Sequence, residues 1–420
     1  MKRTRTCSSK TSVILQVQSF TWLLSLSIVL LAAATDMAHG QTEMAQSPTY
    51  TVLHTFTGGS DGASPTAGLV RDAAGNLYGT TVWGGTNLCI GYGCGVVFKM
   101  DPQNQVTILH VFAGETDGLE PQARLLPDAE GNLYGTTCCG GYYGAGTVFK
   151  IDRKGHESVL YSFTGGEDGG SPQAALTWDS AENLVGTTLY GGSISSCNSP
   201  NGCGVVFRID RHLHETVLHA FTSTDGAYPY DGLTGDALGN LYGTTYNGGD
   251  HSCGVVFKLD RSGNETVLHS FGNQTGDGCS PYSGVTLDAQ GNLYGTTLLG
   301  GQANHGLVFK IDRFGNASGM HTFTGRDGSN PSSDLVQDTA GNLYGTTVSG
   351  GEFGYGVVFK LEPSGKQTIL HNFDYSNGAF PWGRLLPFAG ALYGATNAGG
   401  DPSCGPSGQG CGVLFRIQMQ

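Results

Sequence analysis

The sequence predicts an all-β protein, a seven-bladed β-propeller of four-stranded blades, on three observations. The phrase Asn76-Leu77-Tyr78-Gly79-Thr80-Thr81 returns at Asn132, Asn183, Asn240, Asn292 and Asn342, and in degraded form at Ala391, with spacings between 49 and 57 residues. Two other phrases keep the same count of seven. Val97-Phe98-Lys99 recurs through Phe149, Phe207, Phe257, Phe309, Phe359 and Phe415, and Val52-Leu53-His54 through His110, Tyr161, His219, His269, His321 and His371. The third observation is composition: 69 of 420 residues are glycine and only 13% are charged, a balance that favours short strands and tight turns over helices.

Within one repeat the elements follow in order. Residues 69–72 read as a first strand closed by the turn Asp72-Ala73-Ala74-Gly75, where the Asp and Gly supply turn chemistry. Residues 76–81 form the second strand, and a glycine-rich loop leads to the third, residues 95–100. A polar turn then leads to the fourth, residues 107–112. Sheets this small bury their faces only against neighbours, which is the logic of propeller blades. The pattern opens on a lone fourth strand, residues 50–56, and ends on a third strand, residues 412–417. The N-terminal strand therefore completes the last blade, closing the ring and removing exposed edges.

Residues 1–40 differ in kind. Lys2, Arg3, Arg5 and Lys10 precede an apolar run from Trp22 to Ala34, followed by small residues before Gln41, the layout of a secretory signal peptide. A short linker, 41–49, and a single propeller, 50–420, complete the expected organisation. Without the leader, 17 basic residues face 33 acidic ones, a net charge of −16. Such a surface repels nucleic acid and anionic lipid, so neither nucleic acid nor, after cleavage, a membrane is an expected partner. A secreted or periplasmic monomer is expected.

The combination of G-x-V-F-K with G-N-L-Y-G-T-T-x-x-G-G, repeated seven times over residues 50–420, resembles the GloVer-type tandem repeat of exported bacterial proteins. The resemblance implies secretion and a propeller-like fold, and it carries no established activity. Members often bear a C-terminal anchoring segment, which is not expected in a chain ending inside its last blade.

Ten cysteines follow the leader, and an exported chain is expected to pair them. Cys89 with Cys94, Cys197 with Cys203, and Cys404 with Cys411 bracket equivalent loops between second and third strands. Cys253 occupies the same place without a local partner, and Cys279 lies in the next loop of the same face, so an inter-loop bridge is expected. The neighbours Cys138 and Cys139 remain, as a vicinal disulfide, a reactive pair or free thiols. Zinc ligation is the weaker rival, since no matching histidines accompany the cysteines.

No catalytic signature is present, neither G-x-S-x-G nor H-E-x-x-H, and the glycine-rich stretches read as turns. The repeated histidines lie one per blade on the outermost strand and cannot converge, so a structural hydrogen bond between strands is expected. Asp61, Asp117, Asp168, Asp225, Asp277 and Asp327 each precede a glycine and then a proline. Calcium, which takes several carboxylate and carbonyl oxygens, is one reading of this ring and the one cofactor candidate. Regular recurrence favours the other, in which each Asp caps its own turn.

Function is expected where the repeats differ. Directly after the repeated proline stand Thr66, Gln122, Gln173, Tyr230, Tyr282, Ser332 and Trp382, at the start of the strand nearest the axis. The loop after Gly-Thr-Thr offers Trp83, Tyr142, Tyr143, Tyr190, Tyr246 and Phe353. Aromatic rings with polar neighbours suit sugar rings or peptides, and Arg124, Arg384, Asp231 and Asp334 lie close enough in sequence to add charge. The leading expectation is a binding or scaffold module for glycans or extracellular proteins. The alternatives are a propeller enzyme, lyase-, glycosidase- or quinoprotein-like, and a purely structural surface protein. Asp231 and Asp334 serve as acid and base only if they face one another across the channel.

Overall fold

The computed structural model describes residues 48–419 except 86–88, 90, 198, 274–275 and 405–407; the expected leader lies outside the described residues. Seven antiparallel sheets form the blades of a β-propeller, the first six ordered by sequence from the inner to the outer strand. In blade 1 the strands are Val70–Arg71, Leu77–Thr81, Val96–Met100 and Val106–Val111. The second strands of blades 2 to 7 are Leu133–Thr137, Leu184–Thr188, Leu241–Thr245, Leu293–Thr297, Leu343–Ser349 and Ala391–Thr396. Blade 7 takes Thr49–Thr55 as its outer strand, paired antiparallel with Val413–Gln418, so the ring closes as the sequence predicts.

The recurring phrases have distinct structural duties. The Asp72 carboxylate accepts the backbone N–H of Asn76 at 2.9 Å, its Nδ2 at 2.7 Å and the Tyr78 hydroxyl at 2.9 Å. This holds the turn between the first two strands, with Gly75 at φ +94°. Phe98 inserts toward the preceding blade and meets Phe56 edge-to-face, with ring centroids 5.4 Å apart. The same contact recurs at every blade junction, for example Phe112 with Phe149 and Phe373 with Phe415. These rings are buried, at most 3% exposed, and carry much of the apolar contact between blades.

The fourth strand carries one extra residue in every blade: Val97 faces His110 while Phe98 faces Ile108, leaving Leu109 as a bulge. Bulges of this kind redirect the side chains around them. His110 Nε2 lies 3.3 Å from the Asp117 carboxylate, and His54, His219, His269 and His321 pair in the same way with Asp61, Asp225, Asp277 and Asp327. Tyr161 replaces the histidine opposite Asp168 at 3.1 Å. The expected hydrogen bond between strands is thus a bond from the outer strand to the loop that follows it.

Candidate functional site

The loop leaving each fourth strand is zipped to the loop between the second and third strands of the next blade. Bridges such as Ala63 with Trp83 and Ala227 with Asn247 hold them together on one face. Four disulfides staple this face: Cys89–Cys94, Cys197–Cys203, Cys253–Cys279 and Cys404–Cys411. From there the chain turns through the repeated proline into the innermost strand. That segment is anchored from the preceding blade by the first threonine of Gly-Thr-Thr. Thr80 Oγ1 donates to the Ala123 carbonyl at 3.4 Å, Thr244 Oγ1 to the Ser283 carbonyl at 2.7 Å, and Thr346 Oγ1 to the Pro381 carbonyl at 3.0 Å.

All seven post-proline residues converge as a consequence. Thr66, Gln122, Gln173, Tyr230, Tyr282, Ser332 and Trp382 line one cavity of about 280 Å³ on the axis, together with Arg124, Arg384, Asp231 and Asp334. One wall is aromatic. Tyr230 stacks on Tyr282 with centroids 4.6 Å apart, Trp382 lies 5.3 Å from Tyr282, and Tyr246 buttresses Tyr230 edge-on at 5.4 Å. Burial, then the neighbouring Tyr230 and Asp231, pushes the Tyr282 phenol up, so it stays a neutral donor.

The charged residues sort into two poles. Arg384 of blade 7 and Arg124 of blade 2 flank Gly68 of blade 1, where an added β-carbon would fall 3.1 Å from both Arg124 Cδ and Arg384 Cβ. Asp231 of blade 4 and Asp334 of blade 6 flank Gly284 of blade 5. Its N–H donates to Asp231 Oδ2 at 3.1 Å, and an added β-carbon would lie 3.1 Å from Asp334 Oδ1. Seven-fold placement sets blade 1 opposite blades 4 and 5, so the poles face each other across the axis. The carboxylates therefore share one side of the channel and do not oppose one another across it. Burial first, and the neighbouring Asp334 second, raise the Asp231 carboxyl well above its usual range, to about 8.

Other expected residues go elsewhere. Trp83 packs near Tyr92, at 6.2 Å, in a separate hollow beside the Cys404–Cys411 bridge. Tyr190 packs 5.9 Å from Tyr228 and does not line the cavity. Tyr142, Tyr143 and Phe353 are exposed. The aspartates offered for calcium are spread one per blade; each of the six also accepts a turn N–H, as Asp117 does from Ala113 at 2.9 Å. Among the described residues, the one group of three metal-type donors is Glu120, Cys138 and Cys139, which includes none of them. Cys138 and Cys139 are free thiols with sulfurs 2.9 Å apart. The reading of the sequence missed Asn397 and Ser333 in the cavity wall. Asn397 follows the degraded seventh phrase at the place Tyr246 holds in blade 4, which was the available signal.

The sequence matches the Gloeobacter/Verrucomicrobia repeat over residues 41–254 and 235–420. The chain belongs to that repeat family. No curated protein matches the sequence. Among solved structures, this Gloeobacter/Verrucomicrobia repeat protein is similar to a streptogramin B lyase at 12% identity and a TM-score of 0.60, covering 90% of this chain and 99% of the lyase. It is also similar to the extracellular domain of the one component system BT4673 from B. thetaiotaomicron, at 12% identity and a TM-score of 0.55, covering 88% of this chain and 40% of that one. Identities this low establish the shared propeller fold and leave function to be argued from the site.

Proposed function

We propose that this Gloeobacter/Verrucomicrobia repeat protein is an exported binding module whose axial cavity holds a saccharide. The observation that carries the reading is the convergence of every variable post-proline side chain on one cavity, against a scaffold that otherwise repeats. Tyr230, Tyr282 and Trp382 offer flat apolar faces, and Gln122, Gln173, Ser332 and Thr66 offer polar groups beside them. A volume of about 280 Å³ suits one or two sugar units better than a protein surface. Export is supported by the basic and apolar leader sequence and by the four bridges on the loop face.

The test is a glycan array probed with the chain and with Trp382→Ala and Tyr230→Ala. Binding weakened about tenfold or more in each variant is expected from the loss of a stacking face. Binding that survives both substitutions, or no binding to any glycan, sinks the saccharide reading. Two carboxyl groups side by side in the cavity wall, with that of Asp231 raised by burial and by Asp334, favour a second reading, an enzyme acting on the bound sugar by acid–base chemistry. Turnover of a bound glycan that disappears in Asp231→Asn would select it; binding without turnover would leave the module a binder.

A further inference from the structure

Arg124 and Arg384 are partly buried, adjacent and of like charge, yet neither guanidinium has a hydrogen bond or an ion pair among the described residues. Both line the cavity. Burial first, and the neighbouring Arg384 second, push the Arg124 guanidinium down from its ordinary value; Asp334 and Asp231 oppose that only from across the channel. The arrangement is costly in an empty protein, since two cations are held together without a counter-ion. It is all the more unusual in a chain of net charge −13 with 34 acidic residues to choose from. Gly68 is what permits it. A side chain there would collide with the Arg384 carbonyl, 2.8 Å from the added β-carbon, and with both arginine stems, so the two arginines enter the one cavity over a bare backbone.

The cavity holds further unpartnered polar atoms. Ser332 is 4% exposed, lines the cavity, and its Oγ has no partner; Thr66 Oγ1 and Asp334 Oδ1 are likewise buried and unpartnered. Buried polar groups normally find partners, and several orphans around one cavity are partners in waiting for a ligand. Planar guanidinium forks match carboxylate and sulfate oxygens in a bidentate way.

We infer that the Arg124–Arg384 pair is an oxyanion subsite, and that the saccharide ligand is an acidic one, carrying a carboxylate or a sulfate. The inference rests on the saccharide reading above for the body of the ligand. The acid group sits against the arginines of blades 7 and 2, and the ring lies on Tyr230, Tyr282 and Trp382. Hydroxyls reach Ser332 and the Asp231–Asp334 pole, where the unpartnered Asp334 Oδ1 accepts.

The experiment is calorimetric titration of the chain with oligouronates of galacto, gluco and manno configuration, each beside its methyl ester, with sulfated and neutral oligosaccharides and with inorganic sulfate. The methyl ester keeps the shape and removes the charge. At least one acidic oligosaccharide is expected to bind about tenfold or more tighter than its uncharged form. That margin should collapse in Arg384→Gln and in Arg124→Gln and should shrink as salt rises. Folding is controlled by melting temperature, which is expected not to fall in either variant because like-charge repulsion is relieved. Equal binding of acid and ester, or binding of neutral sugars alone, overturns the subsite while leaving the saccharide reading standing. Arginine-dependent binding of inorganic sulfate with no saccharide bound would support the subsite and sink the saccharide reading. Binding of no anion at all overturns the inference.

Discussion

Gly79 lies against the ring of Phe98, its partner on the neighbouring strand, so closely that a β-carbon on the glycine would fall 2.7 Å from the phenylalanine Cζ. The backbone of Gly79 is ordinary strand, and the requirement is steric: Leu69 Cδ2 closes the same space from the other side, at 2.9 Å. The recurring glycine of the Leu-Tyr-Gly-Thr phrase is thus the seat of the recurring Phe. Gly79→Ala is expected to destabilise by about 1–3 kcal/mol through overpacking, read as a lowered urea midpoint. An unchanged midpoint would show that the ring has room to move.

Gly319 is the opposite case. It stands on the outer strand of blade 5, opposite Phe309, where other blades place Ile108, Val217, Val267 or Ile369, and an added β-carbon meets nothing within 4 Å. Gly319→Val is expected to stabilise by about 1 kcal/mol, by filling the hollow beside Phe309 and by strand propensity. A lowered urea midpoint would show that blade 5 needs a bare backbone at this position.

The contrast explains what was legible beforehand. Blade count, strand order, ring closure and three of the disulfides follow from the recurrence, because each repeated residue has one local duty, and the fourth, Cys253–Cys279, follows from the face its two loops share. The cavity was legible in part, since its wall is where recurrence stops: the residue after each proline is free to vary because Thr80 and its counterparts hold only the backbone there. The charge poles were not legible. Their separation depends on which blades lie opposite, and a list of Arg124, Arg384, Asp231 and Asp334 has no geometry until the ring is closed. Trp83 misled for a related reason. Its loop belongs to the right face, but it faces outward onto the Cys404–Cys411 bridge instead of the axis.

Closure itself is open to test at Tyr50. Its ring stacks on His371 at 3.7 Å and nearly parallel, and its hydroxyl donates to the Asn377 carbonyl at 2.5 Å. Tyr50 thereby ties the closing strand of blade 7 to blade 6. Tyr50→Ala is expected to cost about 3 kcal/mol and Tyr50→Phe about 1 kcal/mol, both from urea unfolding. A negligible effect of Tyr50→Ala would mean that backbone pairing with Val413–Gln418 alone secures the ring.

Cys138 and Cys139 are neighbours in unlike surroundings. The hydrogen bond from Cys138 lowers the Cys139 thiol, while the same contact, burial and Glu120 raise that of Cys138, which is also the more buried. Brief alkylation with iodoacetamide under native, reduced conditions should therefore modify Cys139 faster than Cys138, by on the order of tenfold. Peptide mapping that finds equal modification would contradict this ordering.

The outer-strand glutamates make stability depend on pH in a direction that can be worked out. Glu215 and Glu265 open the fourth strands of blades 3 and 4, each with a buried Oε1 that has no partner. Burial, with Asp168 beside Glu215 and Asp225 beside Glu265, pushes both carboxyls up to about 7. Their folded values exceed the unfolded one, so the folded chain holds more protons between roughly pH 4 and 7, and stability falls as pH rises through that window. Blade 6 shows the remedy, because Gln367 at the equivalent place donates from Nε2 to the Asp327 carbonyl at 2.8 Å. Glu215→Gln with Glu265→Gln should supply the same bond to the carbonyls of Asp168 and Asp225. The double variant is expected to lose less stability between pH 5 and 8, and to exceed the parent at pH 8 by about 1 kcal/mol per site. Urea unfolding across that range decides it, and a parent whose stability rises toward pH 8 would reverse the assignment.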